Sequence, residues 1–565
     1  MKKQWRGLAI VMCLALLISV IASSDTIQAS SGSTEEGYSW FVILPGDAKK
    51  AASMQKQLEK GKTPVELGLT SVKTEKQPLR SLSDIQKEDA KAQQTYDVKV
   101  DPPVQINKKW APPRFQYDYI SKQECLDNIE KSERDEGWIK NPYAWCRSKI
   151  VSYGWVKGKW PFRTVYGVEY RITEIGYGTN SEDKNKKERE VNFDYYIDDI
   201  YTTHSMMNGA KLKVDINCNA LVHVEDCKES RSTPAIERTI AQWKNNNFGT
   251  KKLYSTPPPK TDSNPEQTGY MEFFTHQVMD PPRFPTRTVD SPKQKVRWDS
   301  ADYMIVINPN QTFYNAGIFS NVKPVIHFSY NNPSVMKEQA QHIKDALEQP
   351  EKTYPYPGMG KTIPSTLTRL KDKELIRKNR KKSQRWCKRL AEAGTIPKPA
   401  NSECDEFPFA STNQGSYTGS EYSVSVRYID KDSNQAGGAW LGAWYAYDRI
   451  LDGDAFDVEV EAPEKIATIQ SEGQPQDGQD NRSSDNFTIG NIPPYATKLQ
   501  WKIVDGPKDA KFDVMKDISF GVDETIFYDL TDGSETEIET SEDFYIARPE
   551  NTDGESFTVE VYAIP

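Results

Sequence analysis

The spacing of apolar residues predicts a β-rich region between Trp110 and about Tyr330. Stretches such as TVYGVEYRITEIGYG, VNFDYYIDDIY and AKLKVDINCNALVHV alternate or run apolar at strand length, and Gly, Asn, Asp and Pro separate them. Residues two apart lie on the same face of a strand, so such runs can each bury one face. Residues 110–333 are therefore predicted to form an antiparallel β domain.

Near residue 335 the apolar spacing becomes helical. PSVMKEQAQHIKDALEQ has apolar or small residues at helical intervals after Ser334, and a second helix is predicted over roughly 365–394, ended by Gly394. A strand at SVSVRYI, a helix over AGGAWLGAWYAYDRI with aromatic core positions, and a last strand near DAFDVEV follow. Residues 334–462 are thus predicted to form an α+β domain.

The two ends of the chain have different patterns. Residues 1–29 join a basic start, an apolar run and a small-residue site, which is typical of a signal peptide that is removed on export. Residues 30–109 are polar and predict a disordered leader or pro-segment. Residues 463–485 predict a linker, and 486–565 a small β-sandwich.

No later stretch approaches the roughly 20 apolar residues that a transmembrane helix needs. The mature chain is therefore expected to be secreted and extracellular, without a transmembrane segment. The multidomain fold class is α+β.

Charge is unevenly distributed. The formal net charge is −8, and it becomes about −10 without residues 1–29, which carry three basic residues and one acidic residue. An acidic mean does not favour nucleic acid as a partner, yet residues 369–389 hold eleven Lys or Arg and two acids. Most charge runs form a solvated face, whereas a run in an acidic chain can also bind phosphates. The candidate phosphate-binding residues are Arg377, Arg380, Lys381, Lys382 and Arg385.

Six of the seven cysteines lie beyond the predicted signal peptide. In an exported chain an even number indicates disulfides, and clustering in the sequence favours neighbour pairs, although six cysteines allow 15 connectivities. Zinc binding is disfavoured because there is no CxxC spacing and the five histidines are scattered. The predicted pairs are Cys125–Cys146, Cys218–Cys227 and Cys387–Cys404.

Two stretches carry candidate chemistry: CDEFPFASTNQG at 404–415 and SVRYIDKDSNQAGGAW at 425–440. A disulfide from Cys404 to the basic helix would hold cations beside Asp405 and Glu406. Neighbours on a strand point to opposite faces, so only one of the two carboxylates is expected to enter a given site directly. Asn434 has two interpretations, a helix cap or an oxygen ligand for a cation such as Mg²⁺. An ordinary loop remains the alternative for the Asp-Glu pair.

These stretches, with HIKDAL, IRKNRKK and RWC before them, resemble the secreted deoxyribonuclease family NucA/NucB over about 340–460. The resemblance implies a fold like the ββα-metal nucleases without their catalytic histidine, DNA or possibly RNA as substrate, and Mg²⁺ or Mn²⁺. It implies that Asp405 and Glu406 divide the roles of base and metal ligand, and that Asn434 is a metal ligand. Arg427 would contact phosphate, and Gln435 would contact substrate.

The sequence therefore predicts a secreted, metal-dependent, histidine-free endonuclease with low sequence specificity. A rival hypothesis is an extracellular surface protein whose β domains bind a cell-wall or matrix ligand, with an inactive or subsidiary nuclease-like module. A third hypothesis is a toxin nuclease, which would share the chemistry and have an immunity or inhibitor protein as partner.

Overall fold

The computed structural model describes residues 118–157, 164–181, 189–223, 233–306, 311–328 and 336–460, together with shorter stretches between 28 and 564. Two units are distinguished. The first comprises residues 1–97, 116–305 and 311–323, and the second comprises residues 98–115, 306–310 and 324–565. Helices and sheets occur together and sheets predominate, so the α+β class is confirmed. The predicted signal peptide lies outside the described residues as far as residue 27.

The first unit is built on a 14-stranded sheet whose main neighbours pair antiparallel. Strand Arg189–Thr202 alternates between buried and partly buried residues along most of its length, which is the period-two pattern read from the sequence. The antiparallel β prediction is confirmed. The strands are Gln28–Ser33, Ser39–Leu44, Trp138–Asn141, Ala144–Lys157, Thr164–Ser181, Arg189–Thr202, Lys211–Val222, Lys228–Glu229, Ile236–Thr239, Phe248–Ser255, Gly269–Asp280, Arg287–Asp290, Gln294–Asp299 and Asn315–Phe319.

Aromatic rings fill the core of this sheet. Trp145 contacts Phe193, Phe273 and Phe319, with ring centroids between 4.9 and 6.4 Å apart. Each aromatic ring removes a large apolar area from water, so this cluster contributes much of the unit's stability. The described helices of this unit are Leu82–Asp89, Lys122–Asp127, Ile129–Ser132 and Ile240–Asn245, with a 3₁₀ turn at Ser205–Gly209.

Residues 30–109 were predicted to form a disordered leader, but the described parts of this segment contain a strand and a helix that pack into the first unit. Strand Ser39–Leu44 pairs with Ala144–Lys157, and helix Leu82–Asp89 buries Ile85 completely. The apolar run SWFVIL has strand length, and the polar composition of its surroundings concealed it.

The second unit contains the elements that frame the candidate site, numbered here in chain order. They are β1 (Val325–Phe328), α1 (Lys337–Glu348), β2 (Thr366–Thr368), α2 (Lys373–Glu392), β3 (Ser402–Phe407), β4 (Ser425–Asp430), α3 (Lys431–Tyr447) and β5 (Ala455–Val460). A 3₁₀ turn, Pro350–Lys352, follows α1.

Strand β5 pairs parallel with β1 and antiparallel with β2. Strands β3 and β4 form a separate antiparallel pair, and α3 begins directly after β4. Strand β1 precedes the predicted domain start at 334, so the structure places more of the chain with this domain than the sequence did.

Helix α2 begins later than predicted. Asp372 is its N-cap, and the Asp372 carboxylate accepts hydrogen bonds from the backbone N–H groups of Glu374 and Leu375. The preceding residues 366–368 form β2, so the predicted start at 365 is wrong. The predicted end is confirmed, because Gly394 follows α2 with φ +71°.

The core of this region lies between the β1–β5–β2 sheet and helices α1 and α3. Aromatic side chains of α3 predicted as core, Trp440, Trp444, Tyr445 and Tyr447, are all buried. Apolar residues of the neighbouring elements surround most of them, namely Ile326, Phe328, Ala340, Ile343, Ala346, Leu367, Phe407, Phe409, Phe456 and Val458.

The C-terminal residues form two four-stranded antiparallel sheets. Strand Glu464–Ser471, predicted as part of a linker over 463–485, pairs with Phe557–Ile564, so the start of that linker prediction is wrong. The remaining strands are Phe487–Ile489, Lys498–Asp505, Phe512–Lys516, Glu524–Leu530, Glu535–Glu537 and Tyr545–Pro549. Four further short strands are Val104–Ile106, Lys109–Ala111, Ile305–Val306 and Gln311–Thr312.

Across the parts of the chain that are described, no helix has both the length and the apolar character that a membrane span requires.

Candidate active site

A cavity of about 760 Å³ lies against β3, α2 and α3. Five of the ten catalytic and substrate-binding residues predicted from the sequence line it. Its polar lining comprises Gln339, Arg380, Gln384, Glu403, Asp405, Glu406, Ser411, Asn434 and Gln435.

Both carboxylates of the Asp405–Glu406 pair line this cavity. The sequence analysis expected only one to do so, because strand neighbours point to opposite faces. Among the described strands, β3 pairs with β4 alone, and no described strand pairs with its other edge. A cavity along such an edge can be reached from both faces of the strand.

Glu406 is partly buried, and its ionisation is strongly perturbed. Burial raises the pKa of this carboxyl to about 8, and the nearby charge of Asp405 acts in the same direction. The Arg380 guanidinium and a hydrogen bond from the Ala410 backbone N–H act in the opposite direction. A carboxyl with a pKa near neutral can take up and release a proton at ambient pH, as a general base must.

Asp405 has a partner that the sequence analysis did not predict. The His342 side chain is fully buried, with Nδ1 2.7 Å from Asp405 Oδ2 and Nε2 2.8 Å from Ser425 Oγ. If Nδ1–H donates to the carboxylate, Nε2 of the neutral ring can accept from the serine hydroxyl. This arrangement fixes the orientation of Asp405 and leaves its second oxygen for the cavity.

Because 63 residues separate His342 from Asp405, the sequence alone does not reveal their contact. The one available signal was a histidine on the apolar face of α1, one residue before Ile343. The histidine-free prediction concerned the catalytic groups, and it stays a prediction. No histidine is among the residues that line the cavity, but one lies directly behind Asp405.

Glu403 organises the amide side chains at the start of α3. Its two carboxylate oxygens accept hydrogen bonds from Asn434 Nδ2 at 3.2 Å and Gln435 Nε2 at 3.0 Å. Sequence analysis missed Glu403, although it lies two residues before Asp405 and hence on the same face of β3.

Asn434 is not the N-cap of α3. Asp430 has that position, and its carboxylate accepts hydrogen bonds from the backbone N–H groups of Asp432 and Ser433. The capping interpretation of Asn434 is therefore wrong. With Nδ2 bound to Glu403, the Asn434 side chain keeps its Oδ1 for a ligand.

Gln339 of α1 is a further residue that sequence analysis missed. Its side chain is 3% exposed, and its Oε1 has no hydrogen-bond partner among the described residues. Gly437 makes room for it, since a Cβ at that position would lie 1.2 Å from Gln339 Oε1. An unpaired buried carbonyl oxygen is unfavourable, so its presence in a cavity marks a place where a ligand can bind.

The cations predicted to bind phosphate have different positions. Arg380 lines the cavity. Lys381 and Arg385 are exposed on α2. The other two form ion pairs, Arg377 with Glu374 and Lys382 with Glu421.

The structure does not bring Arg427 to the cavity lining. Arg427 Nη2 lies 2.7 Å from Asp345 Oδ2 of α1. Arg427 is opposite Asp405 in the β3–β4 pair, and its long side chain turns towards α1. Arg380 is the arginine that reaches the cavity.

A strand with Asp405 and Glu406, a basic helix and a helix carrying Asn434 thus meet at one cavity. Residues 356–459 match the family model of deoxyribonuclease NucA/NucB. The resemblance predicted from the sequence is confirmed for this segment of the C-terminal half. The matched NucA/NucB segment contains Arg380, Glu406 and Asn434, and it begins after Gln339 and His342. No curated protein matches the chain.

The Cys387–Cys404 disulfide links α2 to β3 within the NucA/NucB segment, with the two Cα atoms 6.0 Å apart. This pair and Cys125–Cys146 are both confirmed. The predicted partner of Cys218, Cys227, lies outside the described residues.

The metal prediction can be compared with the oxygen donors of the NucA/NucB segment and α1. No group of three or more His, Cys, Asp or Glu side chains arranged for a metal occurs among the described residues. Mg²⁺ and Mn²⁺ do not require such a group, because few protein ligands, including amide oxygens, suffice beside water and phosphate. The unpaired amide oxygen of Gln339, with Asn434 and Asp405 in the same cavity, fits a hard cation.

Proposed function

We propose that this protein is a secreted, divalent-metal-dependent endonuclease that hydrolyses DNA phosphodiester bonds with little sequence specificity. The observation that carries the proposal is the perturbed Glu406 carboxyl in one cavity with Arg380 and Asn434. The NucA/NucB match supports DNA as the substrate. The hairpin β3–β4 followed directly by α3 supports a ββα-metal arrangement.

Glu406 and Arg380 supply complementary functions. Arg380 offers a planar guanidinium whose paired N–H groups match two oxygens of a phosphate. The Glu406 carboxylate accepts a proton from the attacking water, and such positioned bases typically contribute a factor of roughly 10²–10⁴ in rate. Their shared cavity would bring the base and the phosphate-binding group to one phosphodiester.

Asp405 and Asn434 are assigned to a divalent cation, with Gln339 as a further oxygen donor. His342 holds Asp405 from behind and Glu403 holds Asn434, as outer hydrogen bonds commonly orient metal ligands. A Mg²⁺ or Mn²⁺ ion there would stabilise the charge that develops on phosphate and make water more acidic. This assignment separates the two neighbouring carboxylates: Asp405 binds the cation and Glu406 accepts the proton.

The test is a nuclease assay on the full-length protein with plasmid DNA, first in excess chelator and then with Mg²⁺, Mn²⁺, Ca²⁺ or Zn²⁺. We expect hydrolysis only with a cation. Glu406→Gln and Asn434→Ala should each lower the rate at least ~100-fold. The control Glu392→Gln alters an exposed glutamate at the end of α2 and should keep the rate. Full activity of both site variants in chelator would refute the proposal.

Export of the chain, the cell-wall or matrix ligand of the β domains, and an immunity or inhibitor protein remain predictions from the sequence.

A further inference from the structure

Three tyrosines near α2 are exposed to solvent. Tyr356, Tyr417 and Tyr422, here called the tyrosine surface, are 47%, 49% and 61% exposed. Aromatic side chains usually bury much of their large apolar area. Three exposed rings in one region therefore indicate a surface adapted to bind something flat and apolar.

Two lysines of α2 lie over aromatic rings at or beside the tyrosine surface. The Tyr356 ring centroid lies 5.2 Å from that of Tyr422 and 6.2 Å from that of the less exposed Trp386. Lys382 Nζ lies 4.9 Å from the Trp386 ring, and Lys378 Nζ lies 5.4 Å from the Tyr417 ring. Lys382 also pairs with Glu421. A ligand on this surface would meet aromatic faces and positive charge together.

The loop that carries Tyr356 is held in a defined conformation. Tyr356 has φ +57°, a left-handed conformation that is unfavourable for a bulky residue. Lys361 Nζ donates hydrogen bonds to the carbonyl oxygens of Thr353 at 2.8 Å and Pro355 at 2.7 Å. These bonds hold the loop in place and present the Tyr356 ring to solvent. Since the loop is already ordered, it loses little further conformational entropy when a ligand binds.

The loop that carries Tyr417 is fixed to α2 itself. Asn379 is fully buried, and its Oδ1 accepts hydrogen bonds from the backbone N–H of Tyr417 at 2.7 Å and of Thr418 at 3.0 Å. The Ser416 hydroxyl donates to the Asn379 carbonyl oxygen at 2.7 Å. The tyrosine surface therefore rests on the same helix that supplies Arg380 to the cavity.

The positions along α2 relate this surface to the cavity. Arg380 and Gln384 line the cavity, whereas Lys378 and Lys382 are each two residues away, roughly 200° around the helix. The two sites thus lie on opposite flanks of α2, about one helix diameter, 10–12 Å, apart. The exposed cations Lys381 and Arg385 lie between them.

We infer that the tyrosine surface stacks on unpaired bases, so that single-stranded DNA is the preferred substrate; this rests on the proposed nuclease function. Stacking on aromatic rings needs an exposed base face, which a duplex hides in its interior. Such stacking also tolerates any sequence, because every base has a π-face. The lysines and arginines of α2 would carry the phosphate chain from the stacked bases to the cavity.

The test compares kcat/KM of the full-length protein on a labelled oligonucleotide, either single-stranded or annealed to its complement. Wild type should favour the single strand at least ~10-fold, and the double variant Tyr356→Ala, Tyr422→Ala should lower that preference about tenfold. The double variant Tyr356→Phe, Tyr422→Phe keeps the rings and should keep the preference. Tyr201→Ala removes a ring that is 57% exposed outside this unit and is the matched control.

A wild-type preference for duplex, or an equal loss on both substrates in the alanine variant, would overturn the inference. Binding of the single strand in chelator, measured by fluorescence anisotropy, separates the two proposals. If wild type cleaves no DNA but the alanine variant binds the single strand about tenfold more weakly, the nuclease proposal fails and the tyrosine surface stands. If DNA is cleaved and the alanine changes affect neither binding nor preference, the surface inference fails alone.

Discussion

The burial of the Glu406 carboxyl makes the stability of the protein depend on pH. Its pKa of about 8 in the folded protein exceeds the usual value of 4.5, so the folded state binds the extra proton between these values. The stabilising effect is complete below about pH 4.5, declines as pH rises, and is lost above about pH 8. A carboxylate kept in this environment therefore makes the protein less stable at the pH where it can act as a base.

We accordingly expect Glu406→Gln to raise the free energy of unfolding at pH 9 by about 1–3 kcal/mol, and to have little effect at pH 4.5. Urea unfolding in chelator at several pH values measures this. Glu392→Gln, at an exposed position, should follow wild type throughout. Parallel stability curves for wild type and Glu406→Gln would contradict the expectation.

His342 is expected to act by positioning Asp405. His342→Leu leaves the Asp405 carboxylate, which is 5% exposed, without its charged or polar partner. A buried carboxylate left without its hydrogen-bond donor costs roughly 1–3 kcal/mol or more, so the free energy of unfolding should fall by about that amount. His342→Gln, whose amide can donate to the carboxylate, should recover part of the stability.

The activity measurement distinguishes positioning from stability alone. At a temperature where His342→Gln remains folded, kcat should fall about tenfold or more while KM changes little, because the substrate contacts remain. His276→Leu is the matched control, since His276 Nδ1 lies 2.6 Å from Asp290 Oδ1 in a partly exposed pair. Such a pair contributes roughly 0–1 kcal/mol. Equal effects of the two leucine variants would contradict a special role for His342.

The sequence predicted those site residues that lie in local motifs. Asp405, Glu406, Arg380, Asn434 and Gln435 all line the cavity. The sequence could not predict Gln339 or His342 as site residues. Both lie on α1, more than 60 residues before Asp405, and only the fold brings them to the site. Arg427 was assigned from the motif alone, and the direction in which its side chain turns was not visible in that motif.

At the scale of elements, α2 joins the basic surface, the disulfide and the cavity. Its buried residues Asn379, Ser383 and Trp386 face the domain, while most of its lysines and arginines are exposed. The helix itself was evident from periodicity. The start of α2 was not evident, because the residues before it form β2. This strand is only three residues long, so it has no periodicity that would separate it from the helix.

Removal of the Cys387–Cys404 disulfide should loosen the contact between α2 and β3. The two cysteines are 17 residues apart, and a closed loop of about this length stabilises by roughly 3 kcal/mol. The double variant Cys387→Ala, Cys404→Ala should therefore unfold more easily by about that amount. Its kcat should also fall, because Arg380 and Glu406 lie on the two elements that the bond joins.

Thermal unfolding and nuclease kinetics on the full-length protein provide both measurements. The matched control is Cys125→Ala, Cys146→Ala, which removes a disulfide of the first unit. It should lower stability and leave kcat of the folded protein unchanged. If both double variants lower kcat alike, the link between α2 and β3 has no specific role at the site.

At the scale of the whole molecule, the matched family segment is smaller than the structural unit that supports the site. The match begins at residue 356, whereas β1 and α1 lie before it. Ile326 and Phe328 of β1 are completely buried in the core shared with α3. The domain was predicted to start at 334, because the helical period begins near there and the four-residue strand ahead of it has no such signal.

A fragment of residues 324–463 should therefore be more stable than one of residues 335–463, which lacks β1. Loss of two fully buried large side chains costs roughly 2–5 kcal/mol for each, comparable with the whole stability of a small domain. We expect the shorter fragment to unfold at lower denaturant concentration and to show less nuclease activity per molecule. A third fragment, 324–463 with Ile326→Ala and Phe328→Ala, separates core packing from chain length: it should resemble the shorter fragment. Equal stability of all three would mean that β1 contributes nothing to the domain.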